Sequence, residues 1–306
     1  MKLVVVGVGL IGGSFALALK GAGRVDTVVG VGRGRANLDV AQELGIIDRG
    51  VTRDAAWTSE VADADFVLVA TPVGEFPAVF SALARALAPN TIVTDAGSTK
   101  QNVIAAARAT FGDALPRFVP AHPIAGTENT GAGAAFATLF NDRNVVLTPL
   151  PETDPAAQKV VADLWRACGA NVRVLDAEVH DSILAGVSHL PHILAFALVD
   201  MLARRSDRAL LFQYAASGFR DFTRIAASSP EMWRDIALAN RDALLAGVDQ
   251  FRSELDAIAK MLRAADASAL ESVFTNASLA RREWGANFAG TSATNAQQSG
   301  ARRRRL

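Results

Sequence analysis

An apolar segment, Lys2–Val6, runs straight into Gly7-Val8-Gly9-Leu10-Ile11-Gly12, and a helix-like pattern opens behind Gly13. Three glycines at this spacing say little in isolation, but between a strand and a helix they restrict the fold sharply. Gly7 allows a tight turn, Gly9 lets a pyrophosphate approach the backbone, and Gly12 lets helix and strand pack closely. The helix start adds unpaired N–H groups and a partial positive charge. A glycine-rich turn without a ligand is the bland alternative.

The alternation continues for about half the chain. Lys2–Val6, Thr27–Val31, Phe66–Ala70, Thr91–Asp95, Arg117–Pro120, Val145–Thr148 and Val172–Leu175 are short and rich in Val, Ile or Phe. Between several of them lie helix-length stretches: Ile11–Gly21, Ala36–Leu44, Gly74–Ala88, Lys100–Phe111 and Ala156–Cys168. Continuous apolar strands alternating with helices predict a parallel sheet covered on both faces. After about residue 176 only helical stretches follow, at 179–204, 207–216, 230–264 and 267–283. The fold class expected is α/β: a Rossmann-type doubly wound sheet over residues 1–177, then an all-α domain over 178–284. Residues 285–306, Gly/Ala/Ser/Asn/Gln-rich and ending in four arginines, are expected to be an unstructured tail.

Cofactor choice should be made at the end of the second strand, where an NAD site carries an acid for the ribose 2′-hydroxyl. Here the run is Gly30-Val31-Gly32-Arg33-Gly34-Arg35, and the next acid is Asp39. Arg33 can clamp a 2′-phosphate with charge-assisted bonds, which favours NADP over NAD. It can also stack on adenine or stay solvated. A second glycine turn, Asp95-Ala96-Gly97-Ser98-Thr99-Lys100, follows the fourth apolar segment, on the sheet edge where such folds bind ligands. Ser98 there can cap a helix, or donate to substrate or nicotinamide.

The 31 basic and 31 acidic residues balance, so nothing in the net charge draws a nucleic acid. Cys168, the single cysteine, cannot form an internal bridge and fits a reducing cytoplasm. The strand pattern starting at Leu3 leaves no room for a signal peptide, which argues against export. Ile183–Leu202 is apolar and long enough to span a bilayer, but it holds His189, Pro191, His192 and Asp200. It is expected to be a helix buried on all sides, at a subunit interface of a homodimer, with no membrane involved.

Four histidines are present. His122, in Pro120-Ala121-His122-Pro123, follows a strand on the ligand-binding edge, and Pro123 favours an extended loop there. It can accept a proton from a substrate hydroxyl or serve as a structural histidine. Glu128 lies close enough in sequence to orient a neighbour. His189 and His192 face one way if helical, and Pro191 should kink that helix and free polar backbone near Ser188. No carboxylate or cysteine stands at a spacing that would complete a metal site with them. In Gly218-Phe219-Arg220-Asp221-Phe222-Thr223-Arg224, Arg224 can bind a carboxylate, positioned by Asp221, or form a solvated face.

Taken in order, GVGLIGGS (7–14), ATPV (70–73), DAGSTK (95–100), AHPIAGTE (121–128), SHLPH (188–192), GFRDFTRIA (218–226) and MWRDI (232–236) resemble the prephenate/arogenate dehydrogenase family of tyrosine biosynthesis, which includes cyclohexadienyl dehydrogenases. The resemblance implies a helical dimerisation domain and an active site between it and the Rossmann domain. It implies that His122 takes the proton of the ring 4-hydroxyl with help from Ser98, and that Arg224 holds the ring carboxylate. His192, with Ser188 and His189 nearby, would face the substrate side chain, with Glu128 adjoining. Gly7, Gly9, Leu10, Ile11, Gly12, Arg33, Thr71 and Pro72 would hold the cofactor. Ala216-Ser217-Gly218 departs from the family's glycine run, at the side-chain pocket. A β-hydroxyacid dehydrogenase of the 6-phosphogluconate type would need a catalytic lysine among the helices, and Lys260 has no matching motif around it. A non-catalytic dinucleotide sensor would leave His122, His192 and Arg224 without purpose.

Overall fold

The computed structural model of the chain describes residues 1–54 and 56–286 in full, and the backbone alone of 287–303. Six strands form the main sheet: β1 (Lys2–Val6), β2 (Thr27–Gly32), β3 (Arg49–Thr52), β4 (Phe66–Val69), β5 (Ile92–Asp95) and β6 (Phe118–Val119). Their order is β3-β2-β1-β4-β5-β6, every neighbouring pair parallel. Between the strands run α1 (Leu10–Gly21), α2 (Arg35–Glu43), α3 (Phe76–Leu83) and α4 (Gln101–Thr110), and α5 (Pro155–Ala167) follows the sheet. The period-2 geometry of β1 sends Leu3 and Val5 to one face, where they pack with Phe15, Leu19 and Trp165. Val4 and Val6 go to the other, with Phe76, Val79 and Phe80. Two apolar layers on one strand explain why it carries no alternation of polar residues. β3, reading RGVT, has no apolar run and was not expected from the sequence.

The strand order reverses between β1 and β4, so the turns after these strands open a crevice at the carboxyl edge, the usual ligand position in such sheets. A second sheet holds β7 (Ala121–Pro123), β8 (Asn144–Leu147) and β9 (Asn171–Val174). β7 runs antiparallel to β8, which places His122 opposite Val146. His122 is therefore a strand residue and not a loop residue. Pro123 is compatible because it ends that strand, where a missing donor costs little.

The remaining chain is helical: α6 (Ala177–Leu184), a π-helical turn (Ala185–His189), α7 (Leu190–Ala203), α8 (Arg208–Gln213), α9 (Ser217–Thr223), a 3-10 turn (Arg224–Ala227), α10 (Pro230–Ala239), α11 (Arg241–Arg263) and α12 (Ala267–Arg303). Pro191 falls in the first turn of α7, where its missing N–H is least costly, and the irregularity moves upstream into the π turn. The expected helix 230–264 breaks at Asn240, whose φ of −111° and ψ of 34° end α10. The tail expected from Gly285 onward continues as backbone of α12 to Arg303, since no proline interrupts it. Its side chains from 287 and residues 304–306 lie outside the described residues.

The expectation that 183–202 is buried on all sides is corrected. Of the apolar window in Ala177–Ala203, 22% is buried within the chain, and Val187 is 72% exposed. This is the one helical run among the described residues long and apolar enough to cross a membrane. By contacts the chain forms two compact units, residues 1–244 and 245–306. The change from strands to helices near residue 177 lies inside the first unit. Its helices are tied to the sheet: Trp233 and Ile236 of α10 share a core with Val69 and Phe76. A Cβ on Gly74 would stand 2.6 Å from the Asp235 carboxylate, so glycine permits this close approach.

Candidate active site

The glycine turn has the geometry its sequence suggests. Gly7 has φ +100°, and a Cβ there would lie 2.6 Å from the backbone of Ala70, so the β1 and β4 turns meet only through glycine. At Gly12 a Cβ would collide with the Gly7 carbonyl, whereas above Gly9 there is open space. Gly9 caps α1 without a side-chain bond, leaving the amides of Leu10, Ile11 and Gly12 without intrahelical acceptors. Beside them the buried Thr71 hydroxyl has no hydrogen-bond partner, and Pro72 follows it. These groups fit a dinucleotide: a path to the backbone, donors for phosphate and an orphaned hydroxyl.

At the end of β2 the Arg33 guanidinium donates to both oxygens of Glu231 at 2.9 and 3.4 Å and lies 3.3 Å from Glu75. The Glu231 hydrogen bond, then the charge of Glu75, raise the Arg33 pKa above its ordinary value. Arg33 thus bridges the end of β2 to α10.

The next layer rests on two fully buried charges, Asp95 and Lys100, which form an ion pair. Burial pushes the Asp95 carboxyl up and the Lys100 ammonium down, and each opposes the other's shift. Asp95 accepts from the amides of Gly97 (2.7 Å) and Ala121 (3.0 Å), while Lys100 Nζ donates to the Ala121 carbonyl (2.7 Å). The pair therefore clamps the Ser98 loop to β7 and so to His122. Neither residue had been singled out from sequence. The half-buried Ser98 does not cap α4; its hydroxyl makes no hydrogen bond among the described residues. The α4 amides are met by Asp181, which accepts from Lys100 N at 2.8 Å and Gln101 N at 2.9 Å.

His122 and His180 share a hydrogen bond, Nδ1 to Nε2, at 2.9 Å, and His180 Nδ1 lies 2.8 Å from Asp181 Oδ1. His122 is 8% exposed. Burial, then the charges of His180, Lys100 and His189, hold it well below the usual histidine range. Burial opposes the charge on Asp181, but the His180 bond and the amides of Gln101 and Lys100 outweigh it, leaving the carboxyl below its ordinary value.

His189 lies in the π turn, buried, and Asn240 Nδ2 donates to its Nδ1 at 3.1 Å and to the Asp181 carbonyl at 2.7 Å. The carbonyl contact settles which end of the amide is nitrogen, so His189 accepts at Nδ1 and carries its proton on Nε2. That N–H is buried without a partner. Burial takes the His189 pKa down to about 4. His192 donates from Nδ1 to the Ser188 carbonyl at 2.8 Å, which uses the backbone expected to be free there. Its ring stacks on Trp233, centroids 3.5 Å apart, a residue visible in the sequence only as part of MWRDI. Burial lowers the His192 pKa; the Ser188 bond raises it and Arg224 lowers it further.

Arg224 is not positioned by Asp221, which pairs with Arg220 at 3.3 Å. It donates to Glu128 Oε2 at 2.9 Å, joining the helical segment to the loop after β7. His122 and His189 form one electrostatic cluster, and His192 links it to Arg224. A cavity of about 300 Å³ behind the same loop, lined by Ile124, Thr127, Phe136, Leu139 and Arg143 among others, contains none of these side chains.

Residues 15–174 match the family description "Prephenate dehydrogenase, nucleotide-binding domain", and residues 176–276 match "Prephenate dehydrogenase, dimerization domain". The chain is 41% identical over 270 residues to the cyclohexadienyl dehydrogenase of Zymomonas mobilis, covering 87% of this chain and 88% of that one. The crystal structure of Aquifex aeolicus prephenate dehydrogenase with hydroxyphenyl propionate and NAD+ is similar at a TM-score of 0.85 and 36% identity, over 92% and 98% of the two chains. Synechocystis arogenate dehydrogenase is similar at a TM-score of 0.74 and 28% identity, over 93% and 100%. With its glycine cradle, its buried histidine cluster and both modules matched in order, this chain belongs to the prephenate dehydrogenase family.

Proposed function

We propose that the chain carries out the oxidative decarboxylation of prephenate and/or arogenate, giving 4-hydroxyphenylpyruvate and/or tyrosine, in tyrosine biosynthesis in the cytoplasm. The observation that carries the reading is a buried, neutral His122 beside the dinucleotide crevice, in one cluster with His189, His192 and Arg224. When bound, the nicotinamide supplies the hydride acceptor. As hydride leaves the carbinol carbon, the hydroxyl proton passes to His122 Nε2 and a carbonyl forms. The ring carboxylate then leaves as carbon dioxide; the electron pair of the broken bond aromatises the ring, and the oxygen takes the proton back. Ser98, with a free hydroxyl, assists at the same oxygen. Arg224 holds the ring carboxylate after exchanging Glu128 for it. His189 through Nε2–H and His192, with Ser188 beside them, meet the side chain.

For the cofactor we assign Gly7, Gly9, Leu10, Ile11, Gly12, Thr71 and Pro72 to the pyrophosphate and nicotinamide half, and Arg33 to the adenosine end. Either NAD or NADP suits the crevice. Preference for NADP is supported by Arg33 and by the lack of an acid at the end of β2, and it requires a 2′-phosphate to displace Glu231 from the guanidinium. Residues 1–177 serve as the dinucleotide domain and 178–284 as the substrate and dimerisation domain, the latter joining two copies of the chain. Initial rates for the four pairings of prephenate or arogenate with NAD or NADP test the reading. Reduced cofactor and carbon dioxide should appear in equal amounts in at least one pairing; cofactor binding without turnover in all four would overturn it.

A further inference from the structure

Two side chains in the buried cluster have no part in the chemistry so far. His180 is wholly buried, and Asp181 is 1% exposed. Asp181 sits between three donors: its Oδ1 receives Lys100 N–H and His180 Nδ1, and its Oδ2 receives Gln101 N–H. An ionised carboxylate accepts only, so the proton on this side of His180 belongs to Nδ1. With one proton on the ring, His180 Nε2 is then a lone pair, and it faces His122 Nδ1 at 2.9 Å. His122 must donate there, and so its Nε2 is left bare.

That matters because an imidazole in the other tautomer would present N–H to the substrate hydroxyl and could not accept its proton. Burial adds a second difficulty, since the imidazolium formed at His122 is opposed by desolvation and by the charge of Lys100. An anion within reach through one ring offsets that charge, by the logic of an acid–histidine pair behind a base. We propose that His180 and Asp181 are positioning residues for this reaction: they hold His122 in the tautomer with a free Nε2 and offset the charge it takes up. The inference rests on His122 being the base. The groups acting on His122 are His180 from α6, Lys100 from the β5–α4 loop and His189 from the π turn; Asp181 stands behind His180, and Asp95, at the end of β5, pairs with Lys100.

With four histidines in the chain, the tautomers are directly readable by ¹⁵N NMR of imidazole-labelled enzyme. The full chain near neutral pH should show His122 protonated on Nδ1. A wild-type His122 protonated on Nε2 would overturn the proposal before any variant is made. In Asp181→Asn one amide oxygen must serve three donors, so the proton on His180 Nδ1 is no longer fixed and His122 should lose its single tautomer, with Nε2-protonated ring appearing. Kinetics give the second reading. His180→Phe, which removes the acceptor, should lower kcat about 10²-fold and leave KM within about twofold. His180→Gln keeps an acceptor oxygen and should recover about tenfold of the loss. If both variants unfold at lower temperature but keep wild-type kcat, the pair is merely structural and the proposal fails. His122→Asn separates this from the parent reading. Turnover lost there but intact in His180→Phe removes only the positioning pair; turnover intact in His122→Asn removes the base.

Discussion

At the scale of single residues, His122 and Arg224 should fail in different ways. His122→Asn keeps a hydrogen bond to the substrate hydroxyl but loses the proton acceptor, so kcat should fall by about 10²–10⁴ with a modest change in substrate affinity. Because burial holds the His122 pKa well below the usual range, wild-type turnover should stay level as pH falls through 6.5 and drop only at more acid pH. That limb should vanish in His122→Asn. Arg224→Ala removes the counter-charge for a carboxylate, so KM should rise steeply while the limb remains. The reverse pattern in rate measurements across pH would exchange the two roles. His189 makes a separate prediction about stability. Its pKa is lowered from 6.5 to about 4, so the unfolded chain binds more protons between those values and stability must fall as pH falls through that window. The group is 1% exposed, so the loss is on the order of 3 kcal/mol. Urea unfolding at pH 7 and pH 4 should show this difference shrinking in His189→Gln; an unchanged difference would mean that His189 is not the group responsible.

At the scale of elements, the join between β2 and α10 is where the proposed cofactor preference is tested. Arg33→Asp should raise the KM for NADP tenfold or more, the loss of a charge-assisted contact of ~1.5–3 kcal/mol, and relatively favour NAD. Glu231→Gln should do the opposite, because it releases the guanidinium that a 2′-phosphate would have to win. Equal KM values for NADP in Arg33→Asp and wild type would sink the assignment. This element also shows what a sequence can display. The β1–glycine–α1 unit was legible because its signal is local: an apolar strand, three glycines and a helix within twenty residues. β3 was not, since RGVT pairs through backbone and buries little. His122 was legible as a candidate, but its strand was not, because three residues of β7 gain their shape from β8, some twenty residues on. The partner of Arg224 was misjudged for the same reason. Asp221 is three residues away, but Glu128 arrives from the loop after β7. His180 and Asp181 carried no motif at all, and their proposed role follows from three contacts made only when α6 closes over α4 and β7, with the His180–Asp181 bond between them.

At the scale of the whole molecule, the apolar run Ala177–Ala203 presents more surface than one chain covers. Ile183 and Met201 are about half exposed and Val187 more so, and Leu210 and Tyr214 follow on α8 and just beyond. Exposed apolar side chains in this number are normally covered at an interface, and closed pairs of identical chains are the commonest way to do so. The segment lies within the residues that match a dimerization domain. A second copy also suits the exposed Asp200 in a run apolar enough for a membrane, because that group tolerates a protein partner better than lipid. Light scattering should therefore give about twice the 32.1 kDa chain mass at micromolar concentration. Val187→Asp places a charge on the most exposed apolar position of the run and should shift the mass toward the monomer, with the glycine cradle and cofactor binding retained. A wild-type mass equal to one chain, in solution without detergent, would remove the dimer. The apolar face would then need a different partner.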